Sequence, residues 1–405
     1  MQIGPIVSSL RRHRAAVFLI VAEIALTCAI VSNSVFLINE RLASMNRVSG
    51  LAESELVFVQ TAGLRDEADA KAIGALDLEA LRALPGVKSV AIVNQMPFGG
   101  SSWNSDARRT ADPNEEGVNA ATFFGTEDLV ETYGLRIVAG RDFNPDEYVD
   151  INDLRSKPDV TFSSIIVTQA FARNLFGDSD AVGKQVYIWG EEPKRIVGIV
   201  EHLIRPSVHP TATAENSVIL PARADYEWGS YALRVASDRR DETLGAAVSV
   251  IEKNDSNRLI LNQRSFEEIR NKFFANDRAM AWLLVVVCLA LLVITALGII
   301  GLTSFWVQKR RRQIGVRRAL GANRSQILRY FQLENLLLTA IGIAVGMALA
   351  YGINGLLMKH YEVARLPASY LPIGATLLFL LCQLAVLGPA FRASKVPPAV
   401  ATRGA

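Results

Sequence analysis

The chain has 405 residues, half of them hydrophobic and 20% charged, which is too apolar for an ordinary soluble protein and too charged for one buried in a bilayer throughout. Residues 39–278 carry 37 of the 40 acids and 27 of the 43 bases, a net of −10, and the remainder is +13. The bases lie beside apolar segments and not in a stripe on a soluble domain, which argues against nucleic-acid binding; the apolar content excludes disorder for most of the chain.

In chain order, residues 1–14 are a short basic segment with Arg11, Arg12 and Arg14. Residues 15–38 match the ~20 apolar residues that cross a bilayer, and exceed a signal-peptide core of roughly 7–15, so they are read as a retained first transmembrane helix. Glu23 is the one charge inside any span, about 12 Å from the start at 1.5 Å per residue. An intramembrane carboxylate is a functional candidate; the reading favoured here is a structural hydrogen bond to a neighbouring helix.

Residues 39–278 read as a large extracytoplasmic α+β domain with room for two subdomains and no linker between them, and are expected to fold alone. ELVFVQ (55–60) is strand-like, Leu78–Leu84 a short helix closed by Pro85 and Gly86, and KSVAIV (88–93) a strand. A helix near 126–133 ends at Gly134, and Thr168 caps one running through Leu175 with Gly177 just past it. Strands recur at QVYIW, RIVGIV, SVILPA and YALRV, while 101–119 and 144–163 read as polar surface loops. GDSDAVGKQ (177–185) misses the phosphate-loop pattern: five residues separate its glycines, and Gln185 stands where a Ser or Thr must bind magnesium. Glu201, His202 and His209 fit no zinc spacing. No cofactor, metal or catalytic constellation is expected in this chain. Cys28, Cys288 and Cys382 lie in apolar runs, which leaves the domain without a disulfide framework.

Ser265 with Glu268 forms a capping box, and one helix is expected from there through the second transmembrane span, 279–307. The cytoplasmic segment 308–334 carries eight bases and no acid up to 333, with a turn expected at Gly315 and a helix start at Asn323. The third span, 335–357, repeats Gly342, Gly346 and Ala350 every four residues, a face for close helix packing. A loop (358–370), a fourth span (371–391) and a basic tail (392–405, with Arg392, Lys395 and Arg403) complete the chain. The bases place both termini and 308–334 in the cytoplasm, with the acidic domain and the 358–370 loop outside.

RRRQIGVRRALGA (310–322) resembles the stretch that follows the second span in MacB/FtsX-like permease subunits of ABC transporters. YGLRIVAGRDF (133–143), VTQAFARNLFGDSDAVGKQV (167–186) and PAFRASKVPPAV (389–400) resemble the same family's periplasmic core domain and C-terminal tail. The resemblance implies a bacterial inner-membrane subunit that dimerises with a second copy or a paralogue. It implies a separate ABC ATPase binding ATP and Mg, expected on another chain because few residues precede the first span. It also implies a coupling element over Gln313, Ile314, Gly315, Arg317, Arg318, Ala319, Leu320 and Gly321, with Gln313 where the family usually has Glu. In the implied activity, ATP-driven motion is relayed to the outer domain to export or extract peptides, antibiotics or lipid-linked substrates, with a periplasmic adaptor and outer-membrane channel as further partners. The alternative is an FtsX-like signalling protein that regulates an extracytoplasmic hydrolase.

Overall fold

The computed structural model describes residues 14–63, 67–177, 180–207, 213–225, 227, 229–361 and 365–397. Arg11, Arg12, His209 and Arg403 lie outside the described residues. The chain divides into two compact units, Asn46–Ala275 and the combination of Met1–Met45 with Asn276–Ala405.

Helix α1 (Arg14–Met45) opens the second of these. The Asn46–Ala275 unit runs β1 (Leu56–Ala62), α2 (Glu67–Arg82), β2 (Val87–Val93), β3 (Asn104–Ala107), β4 (Val118–Phe124), α3 (Leu129–Tyr133), β5 (Ile137–Gly140), β6 (Val149–Asp150), α4 (Ile151–Ser156) and β7 (Ser164–Thr168). It continues with α5 (Gln169–Phe176), β8 (Gln185–Tyr187), β9 (Pro193–Val200), β10 (Ser217–Leu220), β11 (Ala222–Arg223), β12 (Ser230–Val235), α6 (Arg240–Asn254), β13 (Leu259–Ser265) and α7 (Phe266–Phe273). Four helices follow: α8 (Ala275–Lys309), α9 (Arg311–Ala319), α10 (Arg324–Tyr361) and α11 (Tyr370–Ser394).

The Asn46–Ala275 unit holds two main sheets. One is antiparallel, in the order β13-β1-β12-β2; the other is mixed, in the order β3-β4-β10-β7-β9-β5, with β8 paired to β9. One apolar core joins them, from Val57, Leu81 and Leu233 to Phe124, Ile165 and Ile199. Across it Arg258 donates to Asp77 at 2.5 Å and to the Tyr231 hydroxyl at 3.0 Å, both charges fully buried. Local signals set the helix ends. The Thr168 hydroxyl accepts from the Phe171 amide at 3.2 Å, and Gly134 and Gly177 take left-handed φ values of 68° and 74° just past α3 and α5.

Four expectations are corrected. The expected helix at 78–84 is the end of a longer one that begins at Glu67. Residues 101–119 contain β3, an edge strand: its polar side chains hide it in the sequence, but its backbone pairs with β4 and Asn119 donates to Asp106 at 2.9 Å. Residues 144–163 contain α4, because the polar residues that read as loop are caps: Asp150 caps α4 by accepting from the Asn152 amide at 3.0 Å, and Glu147 accepts from the Asn144 amide at 2.7 Å in the capping box of a short 3-10 helix, Pro145–Glu147, just before it. The helix that starts at Ser265 is not continuous with the second span. Its capping box is present, but Phe274 leaves the helix at φ −88°, ψ 9°, and α8 starts afresh at Ala275. The cause is packing: Phe274 is buried against Phe98 and Phe273, with ring centroids 5.1 and 4.9 Å away.

Helices α1, α8, α10 and α11 are long and apolar enough to cross a membrane. Helix α10 packs against α1. A Cβ on Gly342 would lie 2.7 Å from Ile24, and one on Gly346 would lie 2.6 Å from Cys28 Cβ. Ala350, next on this face, is fully buried, and its carbonyl accepts from the Asn33 amide at 3.1 Å. The small-residue face is therefore filled from within the chain.

Candidate functional site

The most distinctive geometry lies where α8 ends. Helix α9 leaves it at Arg310, whose φ of −101° and ψ of 11° break the α8 ladder. Ile314 and Gly315 are the buried residues of α9, and Ile314 joins Ile327, Phe331, Ala393 and Val396 in one apolar cluster. The turn expected at Gly315 is therefore absent, because this residue sits inside the helix and faces the bundle. The turn falls at Gly321, at φ +94°, where the amides of Gly321 and Ala322 donate to the carbonyls of Arg318 and Arg317 at 3.1 and 3.0 Å. Past it, the Asn323 amide donates to Gln326 Oε1 at 3.0 Å as α10 begins at Arg324.

The bases divide by role. Arg310 donates to both carboxylate oxygens of Glu334, and its guanidinium lies 5.6 Å from the Trp306 ring centre. Arg318 donates to the Val396 carbonyl at 2.6 Å, and Arg317 lies 4.9 Å from the Tyr330 ring centre. A cleft of about 560 Å³ between α9 and the start of α10 is lined by Arg310, Gln313, Arg317, Arg329 and Tyr330 among others. Gln313, Arg317, Ala319, Leu320 and Gly321 are exposed. Leu320 is 83% exposed and Val316, one turn earlier, 44%, so the outward face of α9 is an apolar pair set among arginines. Neither Val316 nor Glu334 stands out in the sequence. The i, i+4 spacing of Val316 to Leu320 was available; nothing local marks Glu334 as the partner of Arg310.

Glu23 and the histidines stand apart. The Glu23 carboxylate is half-buried on α1. It lies against Gly298 of α8, where a Cβ would come within 2.7 Å of Oε2. Nearby, the Thr27 and Thr295 hydroxyls share a hydrogen bond of 2.9 Å. His202 Nδ1 is 2.9 Å from a Glu215 carboxylate oxygen.

Residues 16–255 match the MacB-like periplasmic core domain, and residues 285–398 match the FtsX-like permease C-terminal domain. The chain belongs to the MacB-like ABC transporter permease family. It is 26% identical to the macrolide export ATP-binding/permease protein MacB of Bradyrhizobium diazoefficiens over 97% of this chain and 58% of that one. It is 25% identical to MacB of Chromobacterium violaceum over 58% of this chain and 36% of that one, so it spans only part of the length of these two relatives. The ABC transporter permease YknZ of Bacillus subtilis is 23% identical over 81% of this chain and 78% of its own length. Among solved structures, the extracellular domain of YknZ aligns with 51% of this chain and all of that one, at 17% identity and a TM-score of 0.33. The MacB-like architecture is thus a membrane protein with four apolar helices and a periplasmic-type α+β domain between the first and second.

Proposed function

We propose that the chain is the non-catalytic membrane subunit of a MacB-type transporter in a bacterial inner membrane. Its termini and α9 face the cytoplasm. An ABC ATPase, which binds ATP and Mg, docks on the outward face of α9, and two permease copies or paralogues work as a pair. ATP-driven motion passes along α8 to the Asn46–Ala275 unit and moves peptides, antibiotics or lipid-linked substrates taken from the outer side, with an adaptor and outer-membrane channel downstream.

The observation that carries this reading is the construction of α9. Ile314, Gly315 and Arg318 fix one side of it to the bundle, while Val316 and Leu320 stay exposed on the other. An exposed apolar pair on a short braced helix suits a protein partner better than lipid headgroups, which need only the charges. The relay has short support as well, because one non-helical residue, Phe274, separates α7 from α8.

The test is reconstitution with the cognate ATPase. Leu320→Glu should abolish stimulation of ATP hydrolysis while membrane insertion stays normal, and the permease alone should bind no nucleotide. Normal stimulation by Leu320→Glu would remove the docking assignment.

A further inference from the structure

The Asn46–Ala275 unit contains a second cleft that the coupling reading does not use. The sheet β13-β1-β12-β2 has two unlike faces. One carries Val57, Val59, Val90 and Leu233 and is closed by α2 and α6 through residues such as Leu81 and Ile251. The other carries Phe58 and Gln60 of β1 beside Arg264 and Asn262 of β13, paired directly across the ladder as Phe58↔Arg264 and Gln60↔Asn262. At the β13 edge this second face stays open as the floor of a cleft of about 370 Å³. Met96 to Gly100 and the Ile269, Lys272 and Phe273 side of α7 form its walls.

The cleft is built and charged. Phe98 holds φ at 61°, a left-handed conformation that a non-glycine residue keeps only when its surroundings impose it. They do so here: the Phe98 ring centre lies 5.9 Å from Phe266, 5.4 Å from Phe273 and 5.1 Å from Phe274, with the Arg270 guanidinium 5.1 Å away. The lining includes two cations, Arg264 and Lys272, and no acid. Gln60 and Asn262 present side-chain amides, each able to donate and accept, at neighbouring positions on the floor. Within the four-stranded sheet β13 is an edge strand, with Leu259 and Leu261 exposed on it.

We propose that this cleft binds an acidic peptide bearing an apolar residue beside its carboxylate. The apolar side chain rests on Met96, Ile269 and Phe273, the half-buried apolar residues of the lining. The neighbouring peptide group hydrogen-bonds Gln60 and Asn262, and the carboxylate meets Arg264 and Lys272. Each part of the lining answers one part of such a ligand, and the charge excludes a basic one. The inference rests on the transport reading for its ligand class, peptide, but its test reads recognition by one unit and not coupling, so the two can fail separately.

The test uses the full chain purified in detergent and a fluorescein-labelled Gly-Ser-Gly-Ala-Phe peptide with a free C-terminal carboxylate, followed by anisotropy. Saturable binding is expected, weakened about tenfold by amidation of the C-terminus, as for loss of a charge-assisted hydrogen bond. The Arg264→Gln, Lys272→Gln double variant should bind the acid about as weakly as the amide and keep its thermal melt, both positions being at the surface of the cleft. Replacing the terminal Phe of the probe by Ala should weaken binding in wild type and double variant alike. Equal binding of acid and amide by the wild type, unchanged binding by the double variant, or no saturable binding would each overturn the proposal. Displacement by decanoate as readily as by unlabelled peptide would assign the cleft to fatty acids and overturn it too.

Discussion

Arg310 meets both oxygens of the Glu334 carboxylate, at 3.1 and 3.0 Å, and the Glu334 side chain is only 2% exposed. This pair joins the start of α9 to α10, so the most basic stretch of the chain is anchored by an acid 24 residues later. From sequence alone, Arg310→Lys looks harmless. The geometry revises that, because an ammonium cannot span two carboxylate oxygens as a guanidinium does. Arg310→Ala is expected to destabilise the protein in detergent by about 3–5 kcal/mol, since it strands a buried charge, with Arg310→Lys in between. A thermal melt of Arg310→Ala indistinguishable from wild type would show that the pair carries no stability.

The face of α10 toward α1 gives a steric prediction. A Cβ at position 346 would sit 2.6 Å from Cys28 Cβ and 2.7 Å from the Ala25 carbonyl oxygen, neither of them a flexible chain end. Gly346→Ala should therefore cost about 1–3 kcal/mol as overpacking. Gly352→Ala is the matched control, because a Cβ there meets nothing within 4 Å. Equal melts for the two variants would mean that α1 and α10 pack less closely than described.

The Asn46–Ala275 unit has its own core and is expected to fold alone with a cooperative melt. On that fragment a pH effect can be read. Arg141 donates to the Glu147 carboxylate at 2.6 and 3.0 Å and lowers its pKa to about 2 from 4.5, with the Asn144 amide assisting and burial opposing. The folded value lies below the unfolded one, so this stabilisation is complete above pH 4.5 and is lost as pH falls from there through 2. Urea melts at pH 6 and pH 3 should show a smaller drop for Glu147→Gln than for wild type, by on the order of 1 kcal/mol for a part-exposed pair. Equal drops would show that Arg141 and Glu147 contribute nothing to folding.

What could be read in the sequence follows the range of each interaction. Thr168 with Gly177 and Ser265 with Glu268 act within one or two turns, and their helices stand where these residues place them. Apolar length alone locates α1, α8, α10 and α11. The break at Phe274 escapes because it is made by Phe98, far off in the chain. Gly315 reads as a turn because glycine usually permits one, whereas here it is a buried helical position. In the coupling segment, Gln313 and Leu320 face outward and Ile314 inward, a division fixed by contacts with Ile327, Phe331 and Val396 that no local spacing reveals.

Gly321 provides the sharpest test of coupling. Its φ of +94° lies where L side chains rarely go, and a Cβ there would meet nothing within 4 Å. Substitution therefore adds no clash and removes no charge; it penalises only the backbone turn between α9 and α10. A β-branched residue in a left-handed conformation costs on the order of 1–2 kcal/mol, more than enough to repopulate the turn toward other geometries. Leu320, the most exposed apolar residue of the segment, sits immediately before that turn and would be re-aimed with it. Gly321→Val is accordingly expected to abolish stimulation of the partner ATPase while insertion and the arginine charges stay intact. Arg312→Glu, on the exposed side of α9, should lower stimulation only in part. If Gly321→Val stimulates normally and charge reversal alone is harmful, the segment acts as a topology signal and lipid anchor, and its shape plays no part in coupling.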